Sequence, residues 1–143
     1  MHQPLVVKDN PIWELQRVML QMPQVEVPTE HFFANGMYLR HVWRPKSMTI
    51  IGRVHRQEHF VICALGCIAI SDGVKSFEMR AGDVRVSQPG TKRITHALED
   101  SVLITVHKVS QTADLEAIEA EISFDEPDSA FGVGNVLKHE RLR

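Results

Sequence analysis

The chain has 143 residues, and 16 lysines and arginines against 18 aspartates and glutamates leave a formal charge of −2. That length holds one domain with a real hydrophobic core and is short for two. The charge balance supplies no global basic field for nucleic acid, no apolar run reaches the length of a membrane span, and MHQPLVVKDN lacks the charged start and apolar core of a secretion signal, so the expected compartment is the cytoplasm.

In chain order, residues 1–30 read as an arm. Asn10 as N-cap and Pro11 at the first helical position predict a short helix through Trp13, Leu15, Val18, Met19 and Met22, closed before Pro23. From 31 to 108 strand follows strand: YLRHVW, MTIIGRVH, FVICALG, CIAI, SFEM, AGDVRVS and SVLITVHKV, divided by turn signals such as RPKS, SDG and PGTK. That density predicts an all-β antiparallel sandwich or small barrel. The β-branched and aromatic content from Phe60 to Ile70 reads as a strand buried on both faces. In residues 109–143, SQTADLEAIEAEI predicts an acidic helix capped near Ser110 or Thr112, with Leu115, Ile118 and Ile122 as an apolar stripe. SFDEPDSAFGVGNVLKHERLR then reads as a tail.

The chemistry concentrates in HRQEHFVICALGC, where His55, His59, Cys63 and Cys67 recur at an interval of four. On a strand rising ~3.3 Å per residue the ends of this ladder lie roughly 40 Å apart, so one ion cannot take all four. Even His55 and His59 stand about 13 Å apart on a straight strand, and joint ligation requires a bend or bulge. By parity Arg53, His55, Gln57, His59, Val61, Cys63 and Leu65 share a face that begins polar and becomes apolar, the pattern of a strand running from a barrel mouth into its packed interior. The cysteines are expected to be inert packing residues, too far apart for a disulfide. Glu58 falls on the opposite face and suits an outside arginine; Arg53 suits an internal carboxylate or an anionic substrate. The loop Pro89-Gly90-Thr91-Lys92-Arg93 reads as a solvated basic turn.

The stretch from 52 to 96 resembles a single-domain cupin. The first cupin motif runs Gly, five residues, His-x-His, three or four residues, Glu, six residues, Gly; the second runs Gly, five residues, Pro-x-Gly, two residues, His. With Gly66 as the closing glycine, His59 takes the Glu position, His55 the second His and Arg53 the first, while Gly82-Asp83, Pro89-Gly90 and His96 loosely meet the second motif. More narrowly, TEHFFANGMYLR, GRVHRQEHFVICALG, PGTKR and ALEDSVLITVH are similar to a bacteriophage-encoded cupin-like family without an established enzymatic activity. Its recurring histidines correspond to His31, His55, His59 and His107, and its residue at the place of His96 is often Tyr. The resemblance covers about residues 31–108 and implies a jelly-roll barrel between a helical arm and a C-terminal helix with tail.

It also implies a site. His55 and His59, with His96 or His107 as the third imidazole, would hold one divalent transition metal, Zn, Fe, Mn or Ni. Two functions follow as expectations. In the first, favoured by the long ends, the protein is a phage-type accessory or virion component. It would form homo-oligomers and bind other phage structural proteins, in the host cytoplasm or within a virion. In the second it is a small metal-dependent enzyme of dioxygenase, isomerase or lyase type, although no general acid or base can be placed from the sequence, which leans the expectation away from catalysis.

Overall fold

The computed structural model describes residues 11–110, 114–124 and 126. Among them the elements run α1 (Pro11–Met19), β1 (Thr29–Ala34), β2 (Met37–Arg44), β3 (Thr49–Ile51), β4 (His59–Leu65), β5 (Cys67–Ser71), β6 (Ser76–Arg80), β7 (Val84–Ser87), β8 (Ile94–Ala97), β9 (Ser101–Lys108) and α2 (Leu115–Ile122). One sheet has the order β1-β2-β9-β4-β7 and the other β3-β8-β5-β6, with antiparallel pairing throughout. The architecture is the predicted all-β jelly roll.

The period of two along each strand builds the core between the sheets. On β4, His59, Val61 and Cys63 turn inward and are buried, whereas Phe60 and Ala64 face outward and are exposed. Val61, Cys63 and Leu103 from one sheet meet Ile68, Ile70 and Met79 from the other, closing an apolar floor. The segment from Phe60 to Ile70 is therefore neither buried on both faces nor one strand. Gly66, at φ 77°, turns the chain from β4 in one sheet to β5 in the other. A Cβ at this position would lie 2.3 Å from the Asp100 carbonyl oxygen and the Ser101 hydroxyl, so the turn admits only glycine. Cys63 and Cys67 are buried free thiols in different sheets. A register shift between Cys63 and Leu65 on the β4–β9 ladder breaks the parity, and Leu65 is exposed instead of joining the packing.

Strands β1 and β8 are absent from the predicted set. Neither carries the expected apolar alternation: β1 is an edge strand with Phe32 and Phe33 both exposed, and β8 is only Ile-Thr-His-Ala. The predicted strand 48–55 ends early, because the chain leaves the sheet after Ile51. In α1 the buried face is Ile12, Trp13 and Gln16, and Leu15, Val18 and Met22 are exposed, contrary to the expected stripe. Trp13 docks on Val54 and Phe124, which fixes that orientation. The helix ends at Met19, where Gln24 Nε2 donates to the Met19 carbonyl at 2.9 Å. The proposed cap Asn10 lies outside the described residues.

Helix α2 starts later than expected. Its N-cap is Asp114, whose carboxylate accepts from the backbone N–H groups of Glu116 and Ala117; Ser110 instead donates to Glu121, and Thr112 lies outside the described residues. Ile118 and Ile122 pack as predicted, against Tyr38 and Val109 with Leu115 at the margin. Of the expected tail, Ser123, Phe124 and Glu126 are described, and each is buried. Phe124 N–H donates to the Val54 carbonyl at 2.9 Å, and Arg56 N–H donates to the Ile122 carbonyl at 2.7 Å, so this segment straps the chain just before β4.

Candidate metal centre

The bend required to bring His55 and His59 together is present. His55 forms an isolated bridge to Ser123, residues 56–58 turn, and β4 begins at His59. The two rings are 4.4 Å apart between centroids. From the neighbouring strand β9, His107 stacks on both, at 4.5 Å from His59 and 5.5 Å from His55. One nitrogen from each of the three imidazoles lies within 4.8 Å of the other two.

The structure separates the two candidates for the third position. His107 joins the cluster because its side chain has the inward parity of Leu103 and Thr105. His96 lies in the other sheet, where its Nδ1 pairs with Thr49 Oγ1 at 2.6 Å, and is not brought to the cluster. His31 is also apart, its Nδ1 meeting the Tyr38 hydroxyl at 2.6 Å, but Tyr38 in turn stacks on His107.

Three features of the cluster fit a divalent cation. The His59 Nδ1 lies 3.1 Å from the Gln57 carbonyl oxygen, an acceptor that fixes the proton on Nδ1 and leaves the Nε2 lone pair bare. The His107 Nδ1 is buried without a hydrogen-bond partner among the described residues, while its Nε2 meets Thr105 Oγ1 at 2.9 Å. The rings also favour their neutral, ligating form. Burial, then the neighbouring His59 and Arg40, pushes the His107 pKa down to about 2. Burial is likewise the main cause for His55, held well below its ordinary value with His59 and His107 adding to the effect, and for His59, lowered despite the Gln57 carbonyl.

Two of the three, His55 and His59, line a cavity of about 120 Å³ between the sheets. Arg53, standing where a cupin has its first histidine, is ion-paired to Glu119 at 3.6 Å and donates to the Phe124 carbonyl at 2.8 Å. Glu119 also pairs with Arg40. This buried carboxylate escaped the sequence reading because it belongs to an acidic helix. The signal was present: position 119 lies four residues after Leu115 and beside Ile118, within the buried arc of the stripe.

Two other expectations are corrected. Lys92 is no solvated turn residue; it is 4% exposed, paired with Glu126 and placed 4.3 Å from the centre of the Trp13 ring. Thr91 and Arg93 on either side of it line the cavity, and Gly90 N–H donates to the His55 carbonyl at 2.9 Å, so this loop forms part of the mouth. Glu58 is exposed as parity requires, but among the described residues it accepts from Gln88 and not from an arginine.

No protein-family model matches the sequence, and no curated protein matches it. Solved structures share the fold. A cupin-2 domain protein from Shewanella frigidimarina aligns with TM-score 0.51 at 13% identity, over 73% of this chain and 95% of its own. A double-stranded β-helix protein from Klebsiella pneumoniae aligns with TM-score 0.53 at 13% identity, over 69% and 94%. Ectoine synthase from P. lautus, an enzyme, aligns with TM-score 0.51 at 12% identity, over 60% and 66%. The chain has the cupin fold, and among the proteins that share it are enzymes. No helix among the described residues is long and apolar enough to cross a membrane.

Proposed function

We propose that the protein holds one divalent transition metal through His55, His59 and His107 and acts as a small metal-dependent enzyme on a ligand held in the barrel cavity. The observation that carries this reading is the convergence of three imidazole nitrogens within 4.8 Å of one another, two of them from His55 and His59 in the cavity wall. Three protein ligands leave coordination positions for water or substrate, the pattern of catalytic rather than structural sites. A bound ion would supply a Lewis acid and an activated water. The protein's own contribution is to keep the rings neutral by burial, to set the His59 tautomer through Gln57, and to wall the site with Arg53, Glu119 and the Gly90 loop. Elemental analysis of untagged protein tests this. About one ion per chain is expected, falling below a tenth in His59→Ala; less than a tenth in the wild type sinks the reading.

A second reading, the phage-type accessory or virion component, draws on a separate observation. The edge hairpin exposes Phe32 and Met37 on one face and Phe33 on the other, apolar side chains at a sheet edge of the kind that contacts another copy. Light scattering on the full chain and on Phe33→Glu addresses it. A wild-type oligomer that becomes monomeric supports assembly through this edge, and a wild-type monomer removes it.

A further inference from the structure

His55 and His59 line the cavity, and its other charged lining residues are mostly cationic. Arg40, Arg44, Arg53 and Arg93 all line it, and Glu119 is the only carboxylate among the described lining residues. Glu119 is committed to Arg40 and Arg53. Arg44 and Arg93 have no ion pair among the described residues, although Asp72 acts on Arg93 from farther off.

Arg44 is the more telling of the two. Its Nη1 donates to Thr95 Oγ1 at 3.2 Å, and its Nε is shielded from solvent with no acceptor among the described residues. Burial and the charge of Arg40 push its pKa down to about 10, and burial also lowers that of Arg93, yet both remain cations at neutral pH. A guanidinium taken from water without a counter-charge is costly, and replacing such groups with apolar residues is frequently stabilising. The placement is also no accident of a floppy loop. Arg40, Val42 and Arg44 alternate on the inward face of β2, so the strand itself delivers both cations to the cavity.

We propose that this cavity is an anion site for a small carboxylate, received by the Arg44 guanidinium beside Thr95, with Arg93 as the second cation. The planar guanidinium matches the two oxygens of a carboxylate. Val42, Ile50 and Leu103 offer apolar surface to a short carbon body, which a carboxylate ligand has and inorganic phosphate lacks. The site stands on the arginines and does not require the metal; where both hold, anion and ion share one cavity.

Calorimetric titration of chelator-treated full-length protein with succinate, acetate and inorganic phosphate tests the proposal, alongside metal analysis of the untreated protein. Succinate is expected to bind the wild type and to bind Arg44→Met at least about tenfold more weakly, with a smaller loss in Thr95→Val. Arg44→Met should also unfold at a temperature equal to or above that of the wild type, because it removes an uncompensated charge. Absence of carboxylate binding to the wild type, undiminished binding to Arg44→Met, or tighter binding of phosphate than of either carboxylate overturns the proposal. Should Arg44→Met fail to fold, Thr95→Val and Arg93→Gln decide, and unchanged affinity in both overturns it. Metal without carboxylate binding removes this inference and leaves the histidine reading intact; carboxylate binding without metal does the reverse.

Discussion

The two ends of the barrel are built from the same strands on opposite physical principles. At the floor, β4 and β9 contribute Cys63 and Leu103 to an apolar cluster with Ile68, Ile70 and Met79. A few residues along, the same two strands contribute His59 and His107 to the mouth, where Arg40, Arg53 and Glu119 and then Lys92 and Glu126 form buried ion pairs. Apolar groups need only one another, so a repeating pattern suffices to close the floor. Buried charges need partners of opposite sign, and the chain brings those from far away: Glu119 lies 79 residues from Arg40, and Glu126 lies 34 from Lys92. The floor therefore holds the fold, while the mouth couples the C-terminal strap to the site.

The strongest way to break that contrast is to remove Glu126. Its carboxylate is buried, pairs with Lys92 and accepts the Val54 N–H. Glu126→Ala would leave Lys92 buried beside Trp13 without this counter-charge, and a loss of about 3–5 kcal/mol is expected. Denaturant unfolding of the variant measures it. The double variant Lys92→Met with Glu126→Leu should recover most of the loss, since a buried pair is often replaceable by apolar residues. A loss under about 1 kcal/mol for Glu126→Ala would mean that the strap is solvated and that the mouth is not an ionic closure.

The same contrast explains what the sequence made legible. The inward face of β4 could be read from alternation, and so could the need for a bend between His55 and His59, because both follow from strand geometry alone. His107 was a candidate on resemblance, but choosing it over His96 depends on which sheet each strand joins, and β8 carries too little pattern to be seen as a strand. Lys92 and Glu126 were assigned to a solvated turn and a tail because their composition is that of surface segments. Their burial follows from mutual pairing, a property of two distant positions that neither reveals by itself. Arg44 is hidden likewise, because RPKS reads as a turn whereas Arg44 is the last residue of β2.

Acid sharpens the comparison further. In metal-free protein the His107 pKa is depressed to about 2, below its ordinary 6.5, so between those values the unfolded chain carries a proton that the folded protein does not. The unfolded state then binds more protons, and stability falls as pH falls. His107 contributes up to about 1.4 kcal/mol of loss per pH unit below 6.5 and nothing above it. His55 and His59, also lowered, act in the same direction. Unfolding free energies measured between about pH 7.5 and 5 should be flat and then decline, and His107→Phe should reduce the decline. Equal slopes in both proteins would show that the cluster is not buried neutral.

The smallest effect, and the cleanest control, belongs to the floor. Ile68 is fully buried among Val61, Cys63, Ile70, Met79 and Leu103, a cluster separate from that of Trp13, Val54 and Phe124. Ile68→Val deletes one methylene and should cost about 0.5–1.5 kcal/mol. Because the titratable member of that cluster, the Cys63 thiol, is pushed up by burial and stays protonated across this range, the cost should be the same at pH 7.5 and 5, against a wild-type background that declines. It should also add to the Glu126→Ala loss within about 0.5 kcal/mol, since the two sites share no partner. A cost that changes with pH, or a clear departure from additivity, would mean that the floor gives way as the mouth charges, and that the two ends form one cooperative unit rather than two differently built halves.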